Sequence, residues 1–423
     1  MTKRGVWILG MALFSLFFGA GNLILPPHLG LNSGAQWGWV FLGFGLSAVV
    51  IPMIGIFAHA RLQGSIFDFG KKFSPGFSLV YSYLIYAIAI ALPSPRTAAV
   101  THEMAIEPYL GTGSLATSIL YFGLVFVLAM NRTSLGNLIG KWLTPLILLA
   151  LVLLIGSSLI WPAASPGPAL LEHPLTAGIL EGYQTFDAIG ALVVGGVILV
   201  SLRLEQPQLD VRERFRAVAT SGLMAGLFLL ILYAGLIYSG AHMQGVVPAD
   251  SSRTDLLTAL SRHALGGTGG LVLSILIALA CFTTAVGIVT GTADFIAERF
   301  GNSKRVFALA TLTGCLLGVI MGQLPVDYII AVAVPALMFI YPLTIVLILL
   351  NALPADWTPI TVFRAVVVAT LGFSIPDFLE SIGMGLEGNA LVEWIPLRKY
   401  HLAWLLPALL TYGLGRLLAR RKQ

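Results

Sequence analysis

The stretch Leu13-Phe14-Ser15-Leu16-Phe17-Phe18-Gly19-Ala20-Gly21-Asn22-Leu23-Ile24-Leu25-Pro26-Pro27 decides how the rest of the chain is read. It belongs to an apolar block, near 6–27, long enough to cross a bilayer as helix, yet it holds Gly-Ala-Gly-Asn at mid-depth with two prolines behind it. Glycine weakens a helix and proline removes a backbone donor. In hydrocarbon, backbone groups released in this way must be paired inside the protein or line a polar cavity. A span interrupted there is built around something polar. The block follows Lys3 and Arg4, as a secretory signal would. It runs too long for one, ends in no small-residue cleavage site and contains Asn22 and Pro26–Pro27, so it is expected to stay as a first span.

Working outward, 57% of the residues are hydrophobic and only 10% charged, against about 25% charged in soluble domains. The mean hydropathy is +0.91. A soluble fold of this size has too little interior for that much apolar surface. Apolar blocks of about 20 residues, the length of a helical crossing, recur near 6–27, 36–58, 76–98, 114–131, 136–161, 175–200, 215–240, 267–294, 305–322, 327–350, 362–380 and 401–419. The alternation over about ten residues that marks a membrane β-barrel is missing. The fold class expected is an all-α polytopic membrane protein of about twelve transmembrane helices. The eleventh is the weakest, because Pro376, Asp377 and Glu380 crowd its end.

Lys and Arg set the orientation. With the N-terminus cytoplasmic, 19 of the 24 fall on the inner side, including Arg132, Lys141, Arg203, Arg212, Arg421 and Lys422. Arg96, Arg253, Arg262, Arg398 and Lys399 are left outside. Both termini are thus expected in the cytoplasm. The net charge of +5 follows from this asymmetry and requires no nucleic-acid partner. Trp7, Trp37, Trp39, Trp142, Trp161, Trp357, Trp394 and Trp404 fall near span ends, as an aromatic belt would. Cys281 and Cys315 lie in apolar blocks and form no metal or disulfide pattern. The longest loop, about 241–266, is expected outside, and no separate soluble domain is expected.

The sixth span carries a second interruption, Gly182-Tyr183-Gln184-Thr185-Phe186-Asp187-Ala188-Ile189-Gly190. Spans one and six each open a set of five. Five is odd, so the second set enters the membrane from the opposite side. This is an inverted repeat, and matching broken helices in its two halves point to a binding site at the midplane. The domains expected are 1–161 (first five-helix repeat), 162–351 (inverted second repeat) and 352–423 (two added C-terminal helices). Packing glycines of the small-xxx-small kind are the plainer reading of Gly19 and Gly21; the matching break in span six favours the site. A half-helix N-terminus offers unpaired N–H groups and partial positive charge, which suit a carboxylate. Unwound carbonyls suit a hard cation such as Na⁺.

Other polar residues are scattered among the spans. Thr283 and Thr284 in span eight either help complete an oxygen shell around Na⁺ or bond their own helix carbonyls. Asp187, a carboxylate inside the membrane, has three readings: it meets a substrate amine, carries a proton or caps the broken half-helix. Arg96, in Pro93-Ser94-Pro95-Arg96-Thr97-Ala98, either holds a gate with a carboxylate such as Glu103 or snorkels to the interface. Asp294, Glu298 and Arg299 read as a solvated cytoplasmic cluster. The seven histidines are dispersed and no HExxH or GxSxG occurs, so no enzyme is expected. No repeated filter loop marks a channel.

Taken together, Phe14 to Pro27, Pro95-Arg96-Thr97-Ala98, Gly182-Tyr183 with Asp187 and Gly190-Ala191, and Thr283-Thr284-Ala285-Val286-Gly287 resemble the bacterial branched-chain amino acid carriers, the LIVCS family, over essentially the whole chain. The resemblance implies a LeuT-like five-plus-five fold, a bacterial inner-membrane location and cation-coupled uptake of leucine, isoleucine and valine. Na⁺ is the favoured coupling ion and H⁺ the alternative; no other cofactor is implied, and a monomer suffices. A carrier of another small apolar amino acid or solute is the rival. By the same resemblance, Ala20, Gly21 and Asn22 would lie at the substrate carboxylate, with Tyr86 as a further partner. Phe186, Asp187, Ala188 and Gly190 would line the other wall. The carbonyls of Ser15, Phe18 and Ala280, with the Thr283 and Thr284 hydroxyls, would form the Na⁺ site. Pro93-Ser94 departs from the more apolar stretch expected of the family, which puts that wall of the pocket, and so selectivity, in question.

Overall fold

The computed structural model describes residues 3–131, 144–384 and 394–420. No strand forms among them. Helix is present in the described part of every interval in which a crossing is expected. The longer helices are α1 (Lys3–Phe17), α2 (Ala20–Ser33), α3 (Trp37–Gly45), α4 (Ile51–Leu62), α5 (Pro75–Ala91), α6 (Pro93–Thr101), α7 (Ser114–Met130) and α8 (Thr144–Ile160). They continue as α9 (Pro174–Tyr183), α10 (Asp187–Glu205), α11 (Val211–Ala241), α12 (Arg253–Glu298), α13 (Lys304–Gly322), α14 (Val326–Ala352), α15 (Ile360–Ser381) and α16 (Leu405–Arg420). By length and composition, seven helical stretches among the described residues can cross a membrane, with two shorter apolar helices beside them. The expected segment 136–143, Trp142, Arg132, Lys141, Arg421 and Lys422 lie outside the described residues.

Outward faces are apolar: Leu120 and Leu223 are each 67% exposed, and Trp161 68%. Hydroxyls face inward and mostly donate to carbonyls of their own helix, as Thr101 does to Thr97 at 2.8 Å and Thr370 to Val366 at 2.8 Å. Lipid offers these groups no partner, so the helix must supply one. Trp404 departs from the expected belt. It is buried, next to Ala403, whose N–H donates to the buried Asp377 Oδ2 at 3.0 Å. Both cysteines are buried and free. The expected outer loop 241–266 is shorter than its span: helix resumes at Arg253, and the interruption is Gly266, whose φ of +68° only glycine adopts readily.

The chain divides into two compact units that do not follow chain order. The first comprises Met1–Val49, Tyr86–Phe186 and Thr220–Ala331. Within it, α3 packs on α9, and α12 packs on α6, α2, α8 and α13. Glycines set the closest approaches. A Cβ on Gly30 would strike the backbone of Ile237, one on Gly240 the backbone of Pro27, and one on Gly178 the backbone of Val40. Van der Waals packing of this closeness drives helix association where no hydrophobic effect operates between helices. The second unit comprises Val50–Ile85, Asp187–Ala219 and Val332–Gln423. There α4 packs on α10; His59 Nε2 lies 2.8 Å from the Leu192 carbonyl. The Tyr81 hydroxyl meets Thr344 Oγ1 at 2.8 Å.

Candidate functional site

Both interrupted spans are interrupted in the structure. In span one, α1 ends at Phe17 and α2 starts at Ala20, leaving Phe18 and Gly19 between them. The break falls earlier than the Gly-Ala-Gly-Asn reading places it. Ala20, Gly21 and Asn22 form the first turn of α2, and Pro26 and Pro27 lie inside that helix rather than ending it. In span six, α9 ends at Tyr183 and α10 starts at Asp187. The turn between them closes on Phe186, whose φ of +62° is unusual for a bulky residue. Such strain persists only where surrounding structure holds it, most often at ligand sites.

The first turn of α2 carries the features an anion needs. Its N-cap, Gly19, is extended (φ −114°, ψ −166°) and has no side chain to cap the turn. The N-cap residue itself therefore offers the first N–H groups no hydroxyl or carboxylate. Asn22, buried, donates from its side chain to the Tyr233 hydroxyl. The carbonyls of Asn22 and Leu23 receive no helical N–H, because the residues four further on are Pro26 and Pro27.

Arg96 stands against this turn. Its Nη1 donates to the Gln184 carbonyl at 2.7 Å, and its guanidinium lies 5.3 Å from the Phe186 ring centroid. A Cβ on Gly21 would touch Nη2 and fall 3.1 Å from Cζ. The side chain is buried and does not snorkel. Nor does it pair with Glu103, which accepts from Thr254 Oγ1 at 2.7 Å and from the Val326 N–H at 2.8 Å. The reason is local. The prolines of Pro93-Ser94-Pro95 end α5 and start a new helix, α6, that turns Arg96 toward the breaks. The Gln184 side-chain oxygen is buried and meets no donor among the described residues.

On the other flank of the break lie the two threonines of α12. Thr283 Oγ1 is 2.8 Å and Thr284 Oγ1 3.2 Å from the Ala280 carbonyl. A Cβ on Gly19 would lie 3.2 Å from both Oγ1 and Cγ2 of Thr284. Three oxygens thus cluster beside the open end of α1. Ser15 and Phe18 sit at that end, where a helix supplies no N–H to the last carbonyls. As the hydrogen bonds stand, both hydroxyl protons point to Ala280.

Tyr86 is elsewhere. Its ring stacks on Phe295, centroids 4.1 Å apart. Phe295 follows Thr284 by eleven residues of helix, or about 16 Å. The tyrosine at this turn is Tyr233, whose hydroxyl accepts from the Asn22 side chain; no break marks it in sequence. Asp187, Ala188 and Gly190 belong to the second unit. Asp187 is buried at the first position of α10, where the helix dipole favours a negative charge. The Ala188 N–H donates to the Tyr341 hydroxyl at 3.1 Å.

A second polar cluster joins the ends of helices. Arg253 donates from Nη2 to Glu181 Oε1 at 2.9 Å and from Nη1 to Asp327 Oδ1 at 2.5 Å. Burial works against its charge, but the two carboxylates outweigh burial and hold its pKa above the usual arginine value. Glu181 is on α9, two residues before that half-helix ends.

Comparison with known proteins bears on this arrangement. Residues 2–422 match the family described as branched-chain amino acid transport protein. The branched-chain amino acid transport system 2 carrier protein of Pseudomonas aeruginosa is 33% identical over 408 residues, 94% of this chain and 92% of the relative. Among solved structures, Mhp1, a nucleobase-cation-symport-1 family transporter in a closed conformation with bromovinylhydantoin bound, aligns with a TM-score of 0.66 at 12% identity, covering 98% of this chain and 92% of that one. MhsT in complex with L-phenylalanine aligns with a TM-score of 0.58 at 15% identity, covering 99% and 98%. These structures share the LeuT-like fold.

Proposed function

From the premise that this chain belongs to the branched-chain amino acid transport protein family, we propose that it is a Na⁺-coupled symporter importing leucine, isoleucine and valine by alternating access. It is a membrane transport protein and not an enzyme. The observation that carries the finer reading is the meeting, at one break in span one, of an uncapped helix start and a cluster of three oxygens. The first suits a carboxylate and the second a small hard cation. A zwitterion and its coupling ion then share one hinge. Na⁺ at Ala280, Thr283 and Thr284, completed by carbonyls of Ser15 and Phe18, orders the break. The substrate carboxylate docks on the first turn of α2, at Ala20, Gly21 and Asn22. The ammonium finds an acceptor in the Asn22 carbonyl, and Phe186 lines the wall beside it.

Ion and substrate favour each other's binding, and the effect is reciprocal. An inward Na⁺ gradient then drives uptake. Basic residues gathered on one side support cytoplasmic termini in a bacterial inner membrane. An apolar pocket distinguishes side chains differing by one methylene by only about 1–3 kcal/mol, so leucine, isoleucine and valine compete. The test is uptake of labelled leucine into proteoliposomes against a panel of unlabelled solutes. Displacement by isoleucine and valine, but not by alanine or uracil, supports the assignment. Preference for one of the latter moves it to the rival substrate class.

A further inference from the structure

Asp377 and Glu380 stand three residues apart near the end of α15, on one face of the helix. The chain returns to them through the turn before α16. There Arg398 pairs with Glu380 Oε1, and the Ala403 N–H reaches Asp377 Oδ2 at 3.0 Å. His401 completes the group. One ligand atom each from Asp377, Glu380 and His401 lie within 4.8 Å of one another, the one such set of His, Cys, Asp and Glu side chains among the described residues. All of these residues belong to the second compact unit. Much of the set is unspent. Glu380 Oε2 faces His401 Nδ1 across 3.6 Å, too far for a hydrogen bond. An oxygen and a nitrogen on one tetrahedral Zn²⁺ stand about 3.3–3.5 Å apart, given bonds of about 2.0–2.2 Å. Asp377 is 1% exposed, and its Oδ1 meets no donor among the described residues. An ion pair between Glu380 and a charged His401 is the plainer reading of the gap. It leaves that buried carboxylate oxygen unmet, which is costly away from water.

We propose that Asp377, Glu380 and His401 bind a divalent transition-metal ion of the Zn²⁺ class, which staples the end of α15 to the turn leading into α16. The imidazole nitrogen favours Zn²⁺ over Mg²⁺ or Ca²⁺, which take oxygen ligands. The two carboxylates outnumber the Arg398 guanidinium, so the set keeps a net negative charge for the ion. Glu380 serves both cations, Arg398 with Oε1 and the metal with Oε2. The His401 side chain is 49% exposed, so the ion enters from that side, and water fills the fourth position of the tetrahedron.

The experiment uses the full-length protein purified without a polyhistidine tag, stripped with EDTA, dialysed and titrated with ZnCl₂, with MgCl₂ as the control. Bound zinc is read by competition with a chromophoric chelator, and the melting temperature is read alongside. Wild type binds zinc saturably, melts higher with it, and shows neither response to MgCl₂. His401→Gln weakens zinc by at least about 10- to 100-fold, since even residues that only support a metal ligand are worth that much. At a half-exposed position it leaves the zinc-free melting temperature as in wild type, which reports a folded protein. Asp377→Asn keeps an acceptor for the Ala403 N–H and weakens zinc comparably. Arg398→Gln removes a neighbouring positive charge and tightens zinc by about fivefold or more, the effect of one unit charge at about 4 Å in water. Wild type without saturable zinc binding overturns the proposal. So does binding that His401→Gln and Asp377→Asn leave intact, which puts the ion on other groups, or a response to MgCl₂ equal to that to ZnCl₂. Zinc weakened as much by Arg398→Gln as by His401→Gln also overturns it, since the cluster is then an ion-pair network that any substitution disrupts.

Discussion

Gly19→Ala isolates the ion site from the rest of the fold. The backbone at Gly19, φ −114° and ψ −166°, is extended and open to any residue, so the substitution introduces no backbone strain. Its effect is local crowding. The new methyl would stand 3.2 Å from both Oγ1 and Cγ2 of Thr284. Because it straddles the two atoms, a small χ1 rotation relieves one contact only by tightening the other. The threonine must then leave its rotamer well or move with its helix. Overpacking of this kind costs about 1–3 kcal/mol. Paid at the ion site, that is about 5- to 150-fold in apparent Na⁺ affinity. Thr284→Ser deletes Cγ2 and keeps the hydroxyl, so it should restore Na⁺ dependence in the Gly19→Ala background; Thr284→Ala should not. The assay is the Na⁺ concentration giving half-maximal leucine uptake in proteoliposomes. An unchanged half-saturation in Gly19→Ala, or rescue by alanine as good as rescue by serine, refutes the reasoning.

Other outcomes follow from the same geometry. Glu181→Gln leaves Arg253 with Asp327 alone; the pair is 17% and 18% exposed, between the exposed and buried regimes, so stability should fall by about 1–3 kcal/mol, read as a lower melting temperature in detergent. Asp327→Asn should cost less, because Asp327 is 43% exposed and screened by solvent. Tyr86→Phe should leave leucine affinity within about twofold, whereas Tyr233→Phe should weaken it by about fivefold, the value of one neutral hydrogen bond, both measured by equilibrium binding. Gly240→Ala drives a methyl into the Pro27 backbone and should cost about 3 kcal/mol or more, visible as loss of monodisperse protein. A leucine affinity lost in Tyr86→Phe and kept in Tyr233→Phe would reverse the placement of the phenol.

Both breaks were legible because glycine and polar residues are conspicuous in apolar sequence, and the second half-helices begin at Ala20 and Asp187, within the two polar stretches. The exact restart was not legible. Ala20, Gly21 and Asn22 tolerate the first turn of a helix as well as an unwound segment. Pro26 and Pro27 remove donors without ending α2, since the carbonyls they deprive can be served by the protein interior. The aim of Arg96 was illegible for another reason. Spacing along one span cannot say which way a side chain turns after two prolines restart the helix. Tyr86 and Tyr233 are equal as sequence; only packing on Phe295 and on Asn22 separates them.

The central claim is that the break in span one couples an ion to the substrate. Its most direct test is leucine uptake into proteoliposomes at fixed pH, with an inward Na⁺ gradient or with choline in its place, for wild type and for the Thr283→Ala/Thr284→Ala variant. The account predicts uptake that requires Na⁺ in wild type and is lost in the variant while leucine binding without Na⁺ is equal in both. Uptake that proceeds in choline under a pH gradient, or a variant that still follows the Na⁺ gradient as wild type does, would contradict it.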